Sequence, residues 1–428
     1  MKVVRKIRVL ITTSFPIVSY SIIRSIKPYC DYIAGLTYEK GIKGINKSKY
    51  LDELHYILPM ENFIGKASRD DLLNTLPSEK EFVAGLLKIC IKNNISLIIP
   101  TSEFEILILS KNKDKFEEFN ITVATSSFQS LIKSMDKFEV IKEAKKIGLP
   151  CPETILPKNF KEVEEFSEMY KFPIVVKVRF SNNSNGVKLA NNLKELYEII
   201  NNLLPLSGWP ALQEYIPGTK EPSVHTILDE NLNMKLLFTL RKHRYLASGY
   251  STCIQTTSKL PETEKIISLI QSLELVGYSG IQMKLDERDG KHKLIEINPR
   301  WGSNSRIHLR LGLKFGINAV LKDIQAYLGE QQRFEEYPEN VLGISIVEDI
   351  LALRTFLKKN KNDTNIALPY KNIIKSYINS YIFRKSTFDF IWCSILDDPK
   401  IAYDVYKGIT KEYKNSQRDF LSWGDLIP

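Results

Sequence analysis

Short apolar runs alternate with amphipathic segments over the first 130 residues. Two segments, 16–29 and 79–93, carry apolar residues at helical spacing. Buried strands are predicted at three apolar runs: 7–12, 31–37 and 95–102. This alternation predicts a small parallel α/β domain over residues 1–130.

The first strand-to-helix turn of this domain, TTSFPIVS, contains no glycine. The G-x-G-x-x-G approach of backbone to a pyrophosphate is therefore absent, and we interpret the domain as a packing or substrate-facing one. The same N-terminal stretch partly imitates a secretory signal. Polar residues interrupt its apolar run, so we expect a buried strand and a helix start instead.

The sequence pattern of residues 131–330 predicts mixed α and β structure. A helix is expected over 135–154, with Ser134 or Asp136 as N-cap and Gly148 in its stop signal. An antiparallel hairpin follows, in which strand 172–178 and the return strand VKLAN flank the polar loop RFSNNSNG. Further predicted elements are strands within 212–228 and 235–245, a helix over 261–276, and the strands GIQMKLDE and HKLIEINPR joined by an RDG turn.

The last hundred residues have apolar and aromatic positions at mixed spacing, and we expect a mainly helical extension over 331–428. Core packing is the expected role of its aromatic residues. A helical cap over a site and a docking surface for a partner remain alternatives.

Composition narrows the possibilities. In 428 residues, 43% are hydrophobic and 26% charged, values typical of a folded globular protein. The net charge of +10 suits an anionic partner, but the basic residues form short scattered clusters, so nucleic acid is not an expected partner. Five dispersed cysteines without a CxxC pair favour a reduced, cytoplasmic setting. No apolar run is long enough to predict a membrane span.

Oxygen-bearing side chains cluster in the segment IEINPRWGSN. Glu296 and Asn298 are two residues apart on a predicted strand and so project from one face. Gln282 lies across the predicted hairpin, where it can face the same point. Carboxylate and amide oxygens beside phosphates are what Mg²⁺ requires, although a solvated sheet face is the alternative for Glu296 alone.

Two lysines stand at unusual positions. Lys177 lies inside the apolar strand IVVKV, where a buried ammonium is costly unless it meets an anion; an exposed strand face is the alternative. Lys137 is at a predicted helix start, where a cation is unfavourable for the helix dipole; a solvated side chain is the alternative for Lys137 alone. A bound phosphate would explain both lysines.

The order of these residues, with the motifs MDKFEV, VVKV, QEYIPGTKE, IQMK and IEINPRWGSN, resembles the ATP-grasp superfamily over residues 100 to 330. The resemblance is strongest to its carbamoyl-phosphate-synthase-like carboxylate-amine ligases. It implies an α/β fold with α+β character in the ligase core: a pre-ATP-grasp domain over 1–130 and an ATP-grasp region over 131–330. The region would divide into a lid at about 150–213 and a large subdomain at about 214–330.

The resemblance also implies roles for particular residues. It implies that Gln282, Glu296 and Asn298 bind the metal ion. It implies catalytic contacts from Arg300, Lys284, Arg241 and Arg244, and a place for Ser251 near the acceptor substrate. ATP contacts would come from Lys137, Lys177, Ser184, Gly186, Gln213, Glu214, Ile216 and Glu221. One departure is that Gln282 stands where many ligases carry an acid, which gives a metal ion less charge compensation.

The implied function is an ATP-dependent ligase that uses Mg²⁺, with Mn²⁺ as an alternative. It would join a small carboxylate to an amine or a thiol through an acyl phosphate, and it is expected to be cytoplasmic, with homodimerisation an open alternative. Two other functions stay open: a carbamoyl-phosphate-synthase or carboxylase-type enzyme using bicarbonate, and a non-catalytic ATP-binding protein.

Overall fold

The structure is a computed structural model, and its description covers most of the chain up to residue 346 and short segments beyond it. The described residues are 7–12, 16–38, 48–58, 64–76, 78–181, 186–246, 251–302, 305–346, 349, 350, 353, 370–382, 387–389 and 421–423.

A five-stranded parallel sheet forms the first domain, in the order β3-β2-β1-β4-β5. Its strands are β1 (Ile7–Thr12), β2 (Cys30–Thr37), β3 (Glu53–Tyr56), β4 (Leu97–Ile99) and β5 (Thr122–Val123). Apolar residues occupy both faces of β1: Val9 and Ile11 belong to one core cluster, and Leu10 belongs to another. Both faces are therefore buried, as is usual for parallel sheets.

Six α-helices belong to the described part of this domain. They are α1 (Pro16–Ile26, followed by a 3-10 turn at Lys27–Tyr29), α2 (Arg69–Leu73), α3 (Glu79–Lys92), α4 (Glu103–Lys111), α5 (Lys113–Glu117) and α6 (Phe128–Met135). The predicted parallel α/β domain is confirmed. The strand β3 and the helices α2 and α6 were not predicted.

The predicted helix over 135–154 is shorter than expected. It is α7 (Glu139–Ile147), and Ser134 lies inside α6 rather than at a helix start. The break between the two helices is Asp136, whose backbone is extended and whose Oδ1 accepts hydrogen bonds from the backbone N–H of Phe138 and Glu139. Gly148 ends α7 with φ +71°, as its place in the stop signal predicts.

An antiparallel sheet in the order β6-β9-β7-β8 forms a small subdomain. Two helices, α8 (Phe160–Tyr170) and α9 (Leu193–Ser207), pack on it around Val163, Val176 and Leu196. The strands are β6 (Thr154–Ile155), β7 (Ile174–Lys177), β8 (Val187–Ala190) and β9 (Ala211–Glu214). The predicted hairpin is β7 with β8.

A nine-stranded sheet is the largest element. Its main path is β14-β13-β10-β11-β12-β16-β17, and β15 and β18 pair with β11. The strands are β10 (Ser223–Leu228), β11 (Met234–Leu246), β12 (Ser251–Thr257), β13 (Gly277–Asp286), β14 (Lys291–Asn298), β15 (Glu335–Glu336), β16 (Leu342–Ser345), β17 (Thr387–Asp389) and β18 (Leu421–Trp423). The remaining helices are α10 (Thr263–Ser272), α11 (Ser305–Lys314), α12 (Ala319–Tyr327) and α13 (Tyr370–Ile382).

The region after residue 330 contains strands as well as helix in its described part. Besides α13, the strands β15 to β18 all belong to the large sheet. The C-terminal region therefore extends that sheet, which the mixed apolar spacing did not indicate.

Candidate functional site

Lys177 is buried where β7 ends. Its side chain is only 4% exposed, while Val176 points to the opposite face and packs in the core of the small subdomain. The alternative of a solvated strand face is therefore wrong. Burial lowers the pKa of Lys177 to about 8, with Glu296 opposing and Lys137 adding to that shift.

Lys137 lies two residues before α7 and its side chain extends toward Glu296 and Lys177. Its Nζ donates a hydrogen bond of 2.6 Å to the carbonyl oxygen of Ser181 and lies 3.9 Å from Oε2 of Glu296. Two ammonium groups thus converge near one carboxylate. An excess of positive charge in a desolvated place is the electrostatic setting of an anion site.

The three predicted metal ligands lie together on the neighbouring strands β13 and β14. Gln282 is directly opposite Glu296 in the strand register, and Asn298 Nδ2 donates to Glu296 Oε1 over 3.1 Å. Burial alone would raise the pKa of Glu296, but Lys137, the Asn298 amide and Lys177 outweigh it, so the pKa is lowered. The Glu296 carboxylate is therefore anionic at neutral pH.

This donor set is compatible with Mg²⁺. Within the described ranges no three His, Cys, Asp or Glu side chains form a metal-binding group. One carboxylate and two amides, with Asn298 turning its amide oxygen outward, would leave the other positions of a magnesium ion to water and phosphate oxygens.

The loop after β7 is fixed at its base. The backbone N–H of Lys137 donates to the carbonyl oxygen of Arg179 (3.1 Å), and the Arg179 guanidinium pairs with the fully buried carboxylate of Asp136. From the first domain, the N–H of Gly65 donates to the carbonyl oxygen of Phe180 (2.7 Å). The first domain and the start of α7 both hold the loop beside Lys137.

The far end of the loop needs a glycine. A Cβ added at Gly186 would lie 2.3 Å from Ser181 Cβ, so only glycine fits without a shift. Gly186 also accepts at its carbonyl oxygen from the N–H of Val178, which closes the loop. Ser184, predicted to contact ATP, lies outside the described residues.

The predicted adenine-binding segment follows β9. Gln213 is buried and donates to Thr154, and Ile216 is a buried apolar residue next to the strand end. The carboxylate of Glu214 is bound by Lys293 (3.3 Å) and Arg288 (3.2 Å). These ion pairs occupy the Glu214 side chain, so a contact of this segment with ATP would use its backbone groups.

Glu221 lies among lysines. Its Oε2 is 3.6 Å from Nζ of Lys242, a buried residue of β11 that the sequence analysis did not select. Burial lowers the pKa of Lys284, and Glu221 opposes that shift. The RKHR cluster at 241–244 was visible in the sequence, but only the fold shows that its second member points inward.

Arg300, two residues beyond Asn298, connects the large sheet to the first domain. Its guanidinium donates to the carboxylate of Glu103 on α4 and to the carbonyl oxygen of Trp301 (3.2 Å). Trp301 is itself fixed, because it stacks on Tyr278 and donates to Asp323. The guanidinium is therefore held in a defined position at the end of β14.

The other two predicted arginines lie in different environments. Arg244 is fully buried, where it forms a two-bond ion pair with Asp349 (2.7 and 2.8 Å) and stacks over Tyr377. Arg241 is exposed. Ser251 is buried on β12. Arg244 thus joins the C-terminal region to the sheet, and its predicted substrate contact remains a prediction.

A cleft between the first domain and the large sheet contains three of the predicted site residues, Lys137, Glu296 and Asn298. Ile64 and Glu103 line it from the first domain, and Ser181 lines it from the loop after β7. The cleft therefore brings carboxylate, amide and ammonium groups from three separate parts of the chain to one place.

Comparison with known proteins identifies this region. Residues 134–304 match the family model described as an ATP-grasp domain. This match covers the lysines, the loop and the predicted metal ligands described above. Residues 134–304 of this chain therefore form an ATP-grasp domain.

Sequence relatives point in the same direction. The chain is 23% identical over 291 residues to the carbamoyl phosphate synthase large chain of Thermoanaerobacter sp. (strain X514), which covers 64% of this chain and 27% of that protein. Against the same protein of Vibrio cholerae it is 24% identical over 230 residues, with 48% and 21% covered. The chain spans about a quarter of the length of these curated relatives.

Solved structures share the fold. The biotin carboxylase domain of the 2-oxoglutarate carboxylase of Hydrogenobacter thermophilus superposes with a TM-score of 0.63 at 15% identity, covering 79% of this chain and 73% of that one. N5-carboxyaminoimidazole synthetase of Staphylococcus aureus gives 0.58 at 15% identity, with 84% and 86% covered. The predicted fold class is confirmed. No helix in the described residues is long and apolar enough to cross a membrane.

Proposed function

We propose that this chain is an ATP-dependent ligase that joins a small carboxylate to an amine through an acyl phosphate, releasing ADP and phosphate. The observation that carries the proposal is the proximity of two lysines to one carboxylate: Lys137 and Glu296 line the cleft 3.9 Å apart, and both act on the charge of the buried Lys177. A buried lysine with a lowered pKa is stabilised in its charged form when an anion binds beside it. The triphosphate of ATP is the anion that the ATP-grasp domain makes the natural candidate.

The two lysines have distinct parts in this proposal. Lys177, at the base of the loop, binds phosphate oxygens from a desolvated position, where a charge interaction is strong. Lys137 exchanges its hydrogen bond with the Ser181 carbonyl for a phosphate oxygen. The Asp136–Arg179 ion pair and the Gly65 hydrogen bond keep the loop in place while this happens.

Glu296, Asn298 and Gln282 would hold Mg²⁺. When bound, Mg²⁺ neutralises charge on the phosphates and draws electron density from the γ-phosphorus. The adenine end would lie at the end of β9, against Ile216 and the backbone from Glu214 onward. Glu221 is available for ribose hydroxyls, with Lys242 and Lys284 close to it.

The reacting carboxylate attacks the γ-phosphorus in line with the departing ADP, and the bond from the β-γ bridging oxygen to the γ-phosphorus breaks. The resulting acyl phosphate is then attacked at carbon by the amine, and inorganic phosphate leaves. Arg300 is placed to bind oxygens of the carboxylate and of the acyl phosphate. Catalysis in such transfers is mostly positioning and charge stabilisation, which is what these side chains supply.

A second candidate is bicarbonate in place of an organic carboxylate. It is favoured by the names of the matches: carbamoyl phosphate synthase, a biotin carboxylase domain in complex with bicarbonate, and N5-carboxyaminoimidazole synthetase. The same acyl-phosphate chemistry would give carboxyphosphate. A protein that binds ATP without turnover is the third possibility.

The experiment is ADP and phosphate release with MgATP, measured with pooled amino acids, other carboxylates and amines, and separately with bicarbonate plus ammonia. The matched variants are Glu296→Ala in the cleft and Glu335→Ala on β15, where Glu335 pairs with Lys322 (2.9 Å). The ligase proposal predicts that ADP and phosphate release depends on a carboxylate. This release should be lost in Glu296→Ala and persist in Glu335→Ala. Activity with bicarbonate alone would favour the second candidate, and absence of MgATP binding would contradict the proposal.

A further inference from the structure

Glu103 is a carboxylate of the first domain that faces the cleft. It is the first residue of α4, separated by three residues from the carboxyl end of β4, and its side chain is 7% exposed. Its partner is Arg300, 197 residues further along the chain. An acid and a base from two domains are therefore paired at the wall of the proposed active site.

A neighbouring acid on the same helix has a different environment. Glu105 is fully buried and accepts hydrogen bonds from the hydroxyl groups of Thr12 and Tyr38 and from the backbone N–H of Thr101 and Ser102. These donors account for Glu105 as a structural group that ties α4 to β1. Glu103, by contrast, lines the cleft and binds a predicted catalytic arginine.

Arg300 has bonding capacity left in this arrangement. One terminal nitrogen binds Glu103 and the other binds the Trp301 carbonyl oxygen, while its Nε–H is buried and makes no hydrogen bond within the described residues. Buried donors are nearly always paired. The guanidinium therefore has one donor that its described protein partners leave unused.

We propose that the Glu103–Arg300 pair recognises the substrate carboxylate as part of an amino acid: Arg300 binds its carboxylate and Glu103 binds its ammonium group. This inference rests on the proposed ligase function and assigns its substrate class. A substrate with both charges keeps the acid and the base paired. A substrate with only a negative charge would be bound by Arg300 but repelled by the nearby carboxylate of Glu103.

The test uses the full chain with MgATP and a mixture of primary amines in every arm. Each amino acid is matched with the acid that lacks its amino group: alanine with propionate, glycine with acetate, and phenylalanine with 3-phenylpropionate. Bicarbonate is a further arm. ADP release is measured, and thermal shifts with a non-hydrolysable ATP analogue report binding of each acid without turnover.

Two variants separate recognition from stability. Glu103→Gln keeps the size of the side chain and removes its charge. Glu79→Gln is the matched control. Glu79, at the start of α3, is a similarly buried acid of the first domain, and it binds Lys111 and Asn112 at the end of α4. Both variants lose an ion pair, but only Glu103 lines the cleft.

We expect amino acids to stimulate ADP release and to add to the thermal shift, while their matched acids do neither. Glu103→Gln should raise the KM for the amino acid about 10- to 100-fold, as expected for a lost charged hydrogen bond, with an unchanged MgATP-induced shift. Glu79→Gln should keep the wild-type KM.

The inference would be overturned if amino acids and their matched acids gave equal responses, or if no amino acid gave a response. It would also be overturned by a response to bicarbonate only, or by an unchanged KM in Glu103→Gln. These outcomes leave MgATP binding intact. Failure of the wild-type protein to bind MgATP would instead contradict the proposed function itself.

Discussion

The Nζ of Lys137, two residues before α7, lies 3.9 Å from Oε2 of Glu296, near the end of β14. This contact connects the predicted phosphate-binding lysine to the predicted metal ligand. The buried Lys177 adds a second ammonium to the pair. Positive charge in excess of negative charge is the electrostatic basis of the proposed MgATP site.

The lowered pKa of Lys177 predicts a pH dependence of nucleotide binding. Because MgATP should bind the charged lysine, its affinity should be constant below pH 8 and fall toward about tenfold per pH unit above it. Calorimetric titration of MgATP from pH 7 to 10 measures this. Lys177→Met should bind weakly without the pH dependence, and Lys188→Met, which removes an exposed lysine of the same hairpin, should behave as wild type.

The same residue predicts the sign of a stability change without nucleotide. A folded-state pKa of about 8, below the ordinary lysine pKa of 10.5, means that the unfolded chain binds more protons between these two values. The free energy of unfolding of the wild type should therefore rise relative to Lys177→Met as pH increases from 8 to 10. Urea titrations of both proteins provide the comparison, and a difference that is constant or falls over this range would show that Lys177 is not desolvated.

Asp136 has two functions that substitutions can separate. Its carboxylate caps α7 and binds Arg179 at the base of the loop. Asp136→Asn keeps a cap acceptor but loses the charge, and we expect about 1–3 kcal/mol of destabilisation from the weakened buried pair. Asp136→Ala should cost about 1 kcal/mol more, for the lost cap.

Chemical denaturation gives these free energies, and the KM for ATP gives the effect on the loop. If the ion pair positions the loop, Asp136→Asn should raise the KM for ATP although it contacts no nucleotide. Equal stabilities of the Asn and Ala variants would show that the cap contributes nothing.

Arg244 should be a residue of stability more than of catalysis. Its buried ion pair with Asp349 holds the C-terminal region against β11, and Thr252 also donates to Asp349. Removal of one partner leaves a buried charge, so Asp349→Ala should destabilise the protein by about 3–5 kcal/mol. The double variant Arg244→Met/Asp349→Leu should lose less free energy of unfolding than the sum of the losses of the two single variants. A kcat/KM reduced far beyond the loss of folded protein would instead favour a substrate contact of Arg244.

The sequence predicted elements whose pattern reflects burial. The apolar runs of β1, β2 and β4 are buried on both faces, and the alternation around Lys177 identified β7 and its hairpin. The strand β3 was missed because ELHY is polar and half exposed at the sheet edge. The sheet strands of the C-terminal region are two to four residues long and were missed for lack of any local pattern.

The site was predicted where its residues are close in sequence. Glu296 and Asn298 share a strand face, and Gln282 lies on the partner strand of one hairpin, so their proximity follows from local structure. The Glu103–Arg300 pair joins residues 197 apart, and only the packing of the first domain on the large sheet brings them together. Lys242 was missed because a lysine in a basic cluster gives no sign of burial.

The measurement that tests the central claim most directly is oxygen transfer from the carboxylate to phosphate. The wild-type protein is incubated with MgATP, amines and a pool of carboxylates labelled with ¹⁸O in both carboxyl oxygens, and the released phosphate is analysed by mass spectrometry. An acyl-phosphate mechanism predicts one ¹⁸O atom in each phosphate, with labelled phosphate lost in Glu296→Ala. The assay is run in buffer freed of bicarbonate, so released phosphate without ¹⁸O would show that water, not a carboxylate, attacks the γ-phosphorus, and would contradict the ligase assignment.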